Sequence, residues 1–565
     1  MAKASIDIAT AVREGYAFEG PCVELGALIV DDGPRADTKV RVPLAMLNRH
    51  GLVAGATGTG KTKTLQLMAE QLSLLGVPVF AADIKGDLSG LASPGEPGEK
   101  ITARAEGIGQ RWEPSAYPVE LLRLGDAGTG VPVRATVTSF GPTLLSKVLQ
   151  LNDTQESSLG LVFHYADKAG LPLLDLKDLR AVIQHLTSDE GKADLADLGA
   201  LAKPTAGVIL RALINFAESG ADAFFGEPEF DVGHLMHNTP DGRGVITLLE
   251  LPGVQGRPVL FSTFLMWLLA ELFETLPEAG DVDKPKLVFF FDEAHLLFKD
   301  ASRGFRDALI QTVRLIRSKG VGVFFVTQTP KDVHEDVLAQ LGSRIQHQLR
   351  AFTPDDAAAL KATVRTFPTS PYDLEELLTT VSIGEAVVTV MSEKGAPTPV
   401  AYTMLPAPQS LMAPSSAEVL DGIVASSPLA SLYTEALDRE SAYEKLTGEI
   451  AAGPGPPLGT PPASVGAPAG AAAPTSGTSA PQSGMTEAER LEQEIRGTST
   501  PTVPVPAPEP PARKARSRTA EPPAAEGGVV EKVLGSKAVE GFLRSAGTAL
   551  AREITRGMFG TRRRR

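Results

Sequence analysis

The residues with the clearest chemical potential are a run of glycines, threonines and one lysine near the start of the chain. Residues 55–62 follow the pattern G-x-x-x-x-G-K-[ST], which in proteins wraps a phosphate chain with backbone N–H groups. Lys61 would reach the β- and γ-phosphates, and the hydroxyl of Thr62 would ligate Mg²⁺. We therefore predict a nucleotide site with ATP and Mg²⁺ as cofactors. The predicted phosphate-binding residues are Gly55, Ala56, Thr57, Gly58, Thr59, Gly60, Lys61, Thr62 and Lys63.

The segments on either side place this pattern between a strand and a helix. Residues 51–54 read as a short buried strand, and residues 63–75 have the apolar periodicity of a helix. A helix that begins directly after the loop adds partial positive charge where phosphates would bind. The alternative, a Gly-rich turn with a solvated lysine, does not explain these flanks.

A pair of carboxylates supplies what a phosphate loop alone lacks for hydrolysis. Five apolar residues follow Lys286 and lead directly to Asp292 and Glu293. At the carboxyl end of a buried strand, Asp292 would hold Mg²⁺, and Glu293 would orient or deprotonate the attacking water. The alternative is that the pair caps the N-terminus of the next helix. A motor ATPase typically needs both carboxylates, whereas a kinase or a GTPase rarely needs the second.

Polar residues also follow two other apolar runs. Gln328 comes after residues 321–327 and is a candidate sensor of the γ-phosphate; the alternative is a polar strand end. Asp83 follows another apolar strand. Two interpretations of Asp83 stay open, namely support of the metal or the water, and a charged turn between a strand and a helix.

Basic residues form a further group of candidates. Arg314 and Arg317 lie three residues apart on a predicted helix and share a face, and Arg350 ends a later strand. In ring ATPases an arginine from one subunit reaches the γ-phosphate of its neighbour and speeds hydrolysis by roughly 10³- to 10⁵-fold. The alternative for each arginine is a solvated surface position.

The elements that must position these residues alternate between strands and helices. Such alternation predicts an α/β fold with a mostly parallel central sheet. Residues 1–49 predict a short N-terminal β segment, residues 141–236 a helical insertion, and residues 411–452 a helical extension. The predicted ATPase core is therefore residues 50–140 and 237–410. The predicted strands are residues 77–82, 119–124, 133–138, 245–251, 287–291, 321–327, 344–352 and 385–391.

The C-terminal part of the chain has a different composition. Residues 453–528 are dominated by Pro, Ala, Gly, Ser and Thr, which predicts a disordered linker. Residues 529–565 then predict a C-terminal helix with a basic tail that ends in four arginines. A protein partner for this helix is one interpretation, and a solubilising tail is the other.

Composition and charge exclude some classes of protein. The single cysteine, Cys22, excludes an internal disulfide and suits the cytoplasm. We expect the apolar residues 258–276 to form a buried helix instead of a membrane span. The net charge is −14, and residues 501–565 carry a surplus of seven positive charges, so the first 500 residues carry −21. An acidic body does not indicate a broad nucleic-acid footprint.

Several strings together resemble a known family. Residues 49–62, 291–295, 314–320 and 327–328 are similar to the HerA/FtsK superfamily of P-loop ATPases. Residues 83–90, 151–155 and 224–228 resemble its HerA-like, YjgR-type bacterial branch. The resemblance covers roughly residues 15–404 and the C-terminal helix.

The resemblance implies a RecA-like fold of the additional-strand type and a homo-oligomeric ring, usually a hexamer. It also implies ATP-driven movement along a polymer, typically duplex DNA. The chain departs from the family pattern in two ways. The segment before the phosphate loop is short, where the family usually has a larger β-barrel, and the body of the chain is acidic. The alternatives are a protein-remodelling or secretion-type ATPase, and a slow nucleotide-dependent switch or scaffold.

Overall fold

The computed structural model of the chain describes residues 8–31, 33–125, 128–195, 199–251, 258–280, 282–298 and 303–448. Within these residues, one sheet of twelve strands forms the centre of the fold. In chain order the strands are β1 (Cys22–Val30), β2 (Gly33–Pro43), β3 (Gly51–Ala54), β4 (Val79–Asp83), β5 (Val119–Leu124), β6 (Val131–Val133), β7 (Ile246–Glu250), β8 (Leu287–Phe291), β9 (Val321–Thr327), β10 (Ser343–Gln346), β11 (Glu385–Thr389) and β12 (Ala401–Met404).

The strand order across the sheet is β2-β1-β12-β11-β10-β3-β9-β8-β4-β7-β5-β6. Neighbours from β10 to β6 are parallel, and neighbours from β2 to β10 are antiparallel. This confirms the predicted α/β fold with a mostly parallel, RecA-like sheet. Strand β9 lies between β3 and β8, so the additional strand that the resemblance implies is present.

Strand β8 shows why these apolar runs become central strands. All five of its residues are buried, and successive side chains of a strand point to opposite faces of the sheet. Phe289 and Phe291 join the hydrophobic core on one face, whereas Val288 and Phe290 join the core on the other. A continuous apolar run is therefore required at this position, because neither face of the strand meets water.

Helices cover both faces of the sheet. In chain order they are α1 (Ile8–Gly15), α2 (Lys61–Leu74), α3 (Glu99–Ile108), α4 (Val137–Val148), α5 (Asp153–Ala169), α6 (Leu176–Thr187), α7 (Gly191–Asp194), α8 (Lys203–Glu218), α9 (Pro258–Thr275), α10 (His295–Phe298), α11 (Arg303–Ile316), α12 (Glu335–Leu338), α13 (Pro354–Val364), α14 (Leu374–Thr380), α15 (Ala417–Ser426), α16 (Ala430–Tyr433) and α17 (Ala442–Thr447).

Helices α4–α8 lie between β6 and β7, where the sequence predicts a helical insertion. Their buried side chains, such as Leu159 and Ile209, belong to the same core cluster as Phe289 of the sheet. The insertion therefore shares the core on one face of the sheet, and its first helix, α4, packs against α9 and α11. The boundaries at residues 141 and 236, like the other domain boundaries, stay a prediction.

The N-terminal β segment extends the central sheet. Strands β1 and β2 pair with each other, and β1 also pairs with β12. Gly26 of β1 has a φ of +135°, and a Cβ at this position would lie 2.0 Å from the carbonyl oxygen of Met404. A glycine is required where the backbones of β1 and β12 approach so closely.

Two predicted strands are wrong in part. The run at residues 133–138 ends as a strand at Val133, because the Thr136 hydroxyl accepts a hydrogen bond from the Ser139 N–H and starts α4. The run at residues 344–352 ends as a strand at Gln346. Beyond this point the Ala56 N–H donates to the Gln348 carbonyl, so the chain follows the phosphate loop and leaves the sheet.

Helix α9 is the apolar segment that we expected to be buried. Leu265, Trp267 and Leu268 of this helix are almost fully buried in the core. Among the described residues, no helix has the length and apolar character needed to span a bilayer. The predicted linker, residues 453–528, and the predicted C-terminal helix, residues 529–565, lie outside the described residues.

Candidate nucleotide site

The predicted phosphate loop connects β3 to α2 at the carboxyl edge of the sheet. Gly58 and Gly60 have φ values of +83° and +111°, which side chains with a Cβ rarely adopt. Gly60 is the N-cap of α2, and Lys61 is the first residue of this helix. The Gly55 N–H donates to the carbonyl of Thr327 at 3.2 Å, which fixes the loop to the end of β9.

The Lys61 ammonium lies inside the loop. It donates to the Gly55 carbonyl at 2.7 Å and to the Ala56 carbonyl at 3.2 Å, and the residue is 8% exposed. Burial lowers the pKa of Lys61, and the charges of Glu293 and Asp292 oppose this shift. The predicted lysine and the predicted carboxylates therefore lie within electrostatic reach of each other.

The other loop residues divide between internal contacts and contacts outside the loop. The Thr59 hydroxyl donates to the Ala56 carbonyl at 2.8 Å, which closes the loop on itself. Thr62 is partly buried in the first turn of α2. The Lys63 ammonium donates to Gln66 and to the Met412 carbonyl, so its contacts lie outside the loop.

Asp292 and Glu293 follow β8 directly. Parallel pairing of β3, β9 and β8 brings their carboxyl ends to the same edge as the loop. Asp292 is almost fully buried, and one of its oxygens accepts the Glu293 N–H at 2.9 Å. Burial raises the pKa of Asp292 to about 6. A buried carboxylate with this pKa gains stability from a neighbouring cation.

Glu293 adopts a strained backbone conformation. Its φ is +48°, in the left-handed region that costs a residue with a Cβ about 1 to 2 kcal/mol. The Ala294 N–H donates to the Val326 carbonyl of β9 at 2.8 Å and holds this bend. Strain of this kind persists where the surrounding structure fixes it, often at functional sites.

One oxygen of the Glu293 carboxylate has a strong partner, and the other is buried without a hydrogen bond from the described part of the chain. Its Oε1 accepts a hydrogen bond from the Lys85 ammonium at 2.6 Å. Its Oε2 lies 3.2 Å from Nδ1 of His295 but makes no hydrogen bond to the described residues. Burial alone would raise the pKa of Glu293, but the bond to Lys85 lowers it below its usual value. The carboxylate is therefore ionised near neutral pH.

Lys85 is a site residue that the sequence analysis missed. It belongs to the charged turn after β4, and the only signal in the sequence was its place at the carboxyl edge of the sheet. Burial favours a low pKa for Lys85, but the pair with Glu293 raises its pKa overall. His347 is a second missed residue, since its Nε2 lies 2.9 Å from the Thr64 hydroxyl and its Cβ packs on Gly55.

Asp83 holds the turn together. Its Oδ1 accepts the N–H groups of Lys85 and Gly86, and its Oδ2 accepts the N–H of Leu88 at 2.8 Å. Three backbone donors occupy both oxygens of this buried carboxylate. Of the two interpretations of Asp83, this arrangement favours the charged turn, which also positions Lys85.

Gln328 and Arg350 lie at the same edge as the loop. Gln328 is exposed directly after β9, next to the residue whose carbonyl binds Gly55. The Arg350 guanidinium is exposed and donates to the Thr57 carbonyl at 3.2 Å. Arg350 is therefore placed beside the loop within one chain.

Arg314 and Arg317 are not brought to the loop. Arg314 is exposed in the last turn of α11, and Arg317 is exposed directly after this helix. The charge of Arg317 acts on His50, which precedes β3. His50 lies at the amino end of β3, opposite the loop. A role for Arg314 and Arg317 in hydrolysis would therefore need a neighbouring copy of the chain, and it stays a prediction.

Among solved structures, the chain is similar to the plasmid coupling protein TrwB in complex with ADP and Mg²⁺. The TM-score is 0.46 with 17% identity, over 70% of this chain and 96% of TrwB. It is also similar to VirB4 of Thermoanaerobacter pseudethanolicus, with a TM-score of 0.44 and 15% identity, over 69% of this chain and 98% of VirB4.

Two archaeal proteins named DNA double-strand break repair helicase HerA are similar in sequence. The protein of Sulfurisphaera tokodaii is 23% identical over 387 residues, which are 68% of this chain and 70% of the relative. The protein of Sulfolobus acidocaldarius is 22% identical over 377 residues, which are 66% of this chain and 67% of the relative. Residues 29–457 match the family described as helicase HerA-like C-terminal. The match covers most of the chain, which therefore belongs to this HerA-like family of P-loop ATPases.

Proposed function

We propose that the chain is a Mg²⁺-dependent ATPase that works as a HerA-type motor on duplex DNA. The observation that carries this proposal is the meeting of the phosphate loop with Asp292 and Glu293 at one edge of the sheet. A nucleotide held by the loop would place its γ-phosphate near Lys61, and the charges of both carboxylates already act on this lysine. The buried Oε2 of Glu293 has no hydrogen bond among the described residues, so it is available to accept one from an attacking water.

The residues at this edge fit Mg²⁺. Oxygen ligands suit this ion, and the Thr62 hydroxyl and the Asp292 carboxylate offer them. Burial destabilises the ionised form of Asp292, which a divalent cation would stabilise. When bound, the metal neutralises charge on the β- and γ-phosphates.

The other residues have separate roles in this proposal. Lys61 binds the phosphates, and Glu293 orients the water and accepts its proton. Gln328 contacts the γ-phosphate from the end of β9, and Arg350 adds positive charge beside the loop. Arg314 and Arg317 act on the site of the next subunit in a homo-oligomeric ring, for which six copies is the expected number.

Duplex DNA is the polymer we favour, because the two archaeal relatives carry the name of DNA repair helicases. The basic residues of the C-terminal tail offer phosphate contacts at the end of the chain. One observation favours a protein substrate instead, namely the charge of −21 on the first 500 residues. We place the protein in the cytoplasm in either case.

Steady-state ATP hydrolysis with and without long duplex DNA tests the proposal. The wild type should hydrolyse ATP with Mg²⁺, and DNA should raise the rate several-fold. Glu293→Gln should lose hydrolysis in both conditions, whereas Glu375→Gln, which changes an exposed carboxylate of α14, should keep it. Hydrolysis that ignores DNA would favour a protein substrate, and nucleotide binding without turnover would favour a slow switch.

A further inference from the structure

An apolar slot opens beside the phosphate loop. This cavity of about 290 Å³ lies between the start of α2, helix α3, the turn before β11 and the chain after β12. Gly60 and Thr64 are among the lining residues, so the slot adjoins the loop. A ligand whose phosphates lie in the loop therefore has its remaining atoms next to this slot.

The slot exposes aliphatic side chains. Ile383 is 72% exposed and Met412 is 40% exposed, and both line the cavity together with Ile101 and Leu405. Large apolar side chains that stay exposed around one cavity mark a binding surface. A flat apolar group would cover them from water.

The walls of the slot are fixed to the loop before any ligand binds. The Gly384 N–H donates to the Thr59 carbonyl of the loop at 3.4 Å. The Arg104 guanidinium donates to the carbonyls of Ile383, Gly384 and Leu405 at 3.2, 2.9 and 3.1 Å. A slot held in this way loses little conformational entropy when a ligand enters.

Most side-chain donors around the slot are bonded to the protein itself, and the exposed Lys100 of α3 is the exception among the described lining residues. The guanidinium of Arg104 is bonded to three carbonyls, and the ammonium of Lys63 is bonded to Gln66 and Met412. The N–H of Ala407 donates to Gln110 at 3.0 Å. The neighbouring Pro406 and Pro408 have no backbone N–H. The slot therefore offers mainly apolar contact to a ligand, with the Lys100 ammonium as its unbonded side-chain donor among the described residues.

We propose that this slot takes the nucleobase of the bound nucleotide by apolar contact, so that adenine and guanine nucleotides bind with similar affinity. This inference rests on the proposed nucleotide site and assigns its base-binding part. Ile383 and Met412 cover the faces of the base, and the phosphates lie in the loop. A pocket without hydrogen bonds to the base edge discriminates poorly between two purines, by about tenfold or less.

Isothermal titration of the full chain with ADP, GDP and inorganic pyrophosphate, each with Mg²⁺, tests this inference. ADP and GDP should bind within about tenfold of each other and at least about tenfold more tightly than pyrophosphate. Ile383→Ser should weaken the binding of ADP and GDP by about five- to tenfold, because part of the apolar contact with the base is lost. The affinity for pyrophosphate should stay unchanged. Met412→Ser should act in the same direction.

Leu432→Ser is the matched control, because Leu432 is 53% exposed on α16 and does not line the slot. It should leave all three affinities unchanged. Two results would overturn the assignment of the slot to the nucleobase. One is ADP that binds no more tightly than pyrophosphate, and the other is an Ile383→Ser variant with unchanged ADP affinity. A preference for one purine above about a hundredfold would overturn binding by apolar contact. A wild type that binds none of the three ligands would overturn the phosphate loop itself, and with it the proposed function.

Discussion

Replacing Lys85 by methionine is expected to destabilise the nucleotide-free protein, and adding Glu293→Gln to that variant is expected to restore part of the loss. The reason is the 2.6 Å bond between the Lys85 ammonium and the Glu293 carboxylate. Methionine has a similar length but no donor, so a buried carboxylate is left without its cation. Glutamine removes the charge that makes this state unfavourable.

The exposure of the two side chains sets the magnitude. The side chain of Glu293 is 7% exposed and that of Lys85 is 39% exposed, so water reaches one end of the pair. A hydrogen bond to a charged group contributes about 1.5 to 3 kcal/mol, and solvent at the lysine end reduces this to about 1 to 2 kcal/mol. We therefore expect Lys85→Met to lower the free energy of unfolding by about 2 kcal/mol, and Glu293→Gln to return about 1 to 2 kcal/mol of it in the double variant.

Urea-induced unfolding of the four proteins, without nucleotide, measures this coupling. Tryptophan fluorescence, to which Trp267 in the core and Trp112 contribute, follows unfolding. A second cycle on the exposed pair Lys192 and Asp189 is the control and should give a coupling below about 0.5 kcal/mol. If Glu293→Gln destabilises the Lys85→Met variant as much as it destabilises the wild type, Lys85 and Glu293 are not coupled and the expected stabilisation by their bond is wrong.

Three further predictions concern pH and charge. Burial raises the pKa of Glu271 to about 7, so the folded state binds the carboxyl proton more tightly than the unfolded state does, and the free energy of unfolding falls as pH rises from about 4.5 to 7. In urea unfolding at pH 8, Glu271→Gln should be more stable than the wild type by about 1 to 3 kcal/mol, whereas Glu375→Gln should not. Burial lowers the pKa of His50 to about 4, so the stability that the neutral imidazole contributes is present above pH 6.5 and is lost as pH falls towards 4. The free energy of unfolding, measured in urea, should fall by about 2 to 3 kcal/mol over this window, and His50→Gln should make this pH dependence weaker. In titration calorimetry, Arg350→Ala should weaken pyrophosphate binding by about three- to tenfold, because it removes a cation beside the loop. The control Arg365→Ala, at the exposed end of α13, should leave this affinity unchanged.

Local signals account for the parts of the fold that the sequence predicts well. The loop pattern, the apolar run before Asp292 and the run before Gln328 each lie within one strand and the turn after it. Such patterns depend on neighbouring residues, so they are readable without the fold. The wrong strand at residues 133–138 is also local, because the hydroxyl of Thr136 offered the backbone a helix cap in the middle of a β-branched run.

Contacts between distant residues account for what the sequence does not reveal. Lys85 and Glu293 are 208 positions apart, and only the order of β4 and β8 in the sheet brings them together. His347 reaches Thr64 for a similar reason, since β10 lies beside β3. The distance of Arg317 from the loop follows from the direction of α11, which carries it towards His50. The chemical roles of the arginines stay predictions.

Separating nucleotide binding from hydrolysis at Glu293 tests the proposed ATPase site most directly. The binding affinity for Mg²⁺·ATP and the single-turnover rate of ATP hydrolysis should be measured for the wild type and Glu293→Gln. For Glu293→Gln we expect an affinity within a few-fold of the wild type and a rate about 10²- to 10⁴-fold lower, because Glu293 acts on the water and the loop binds the phosphates. A Glu293→Gln variant that hydrolyses ATP at the wild-type rate would contradict the assignment of this site.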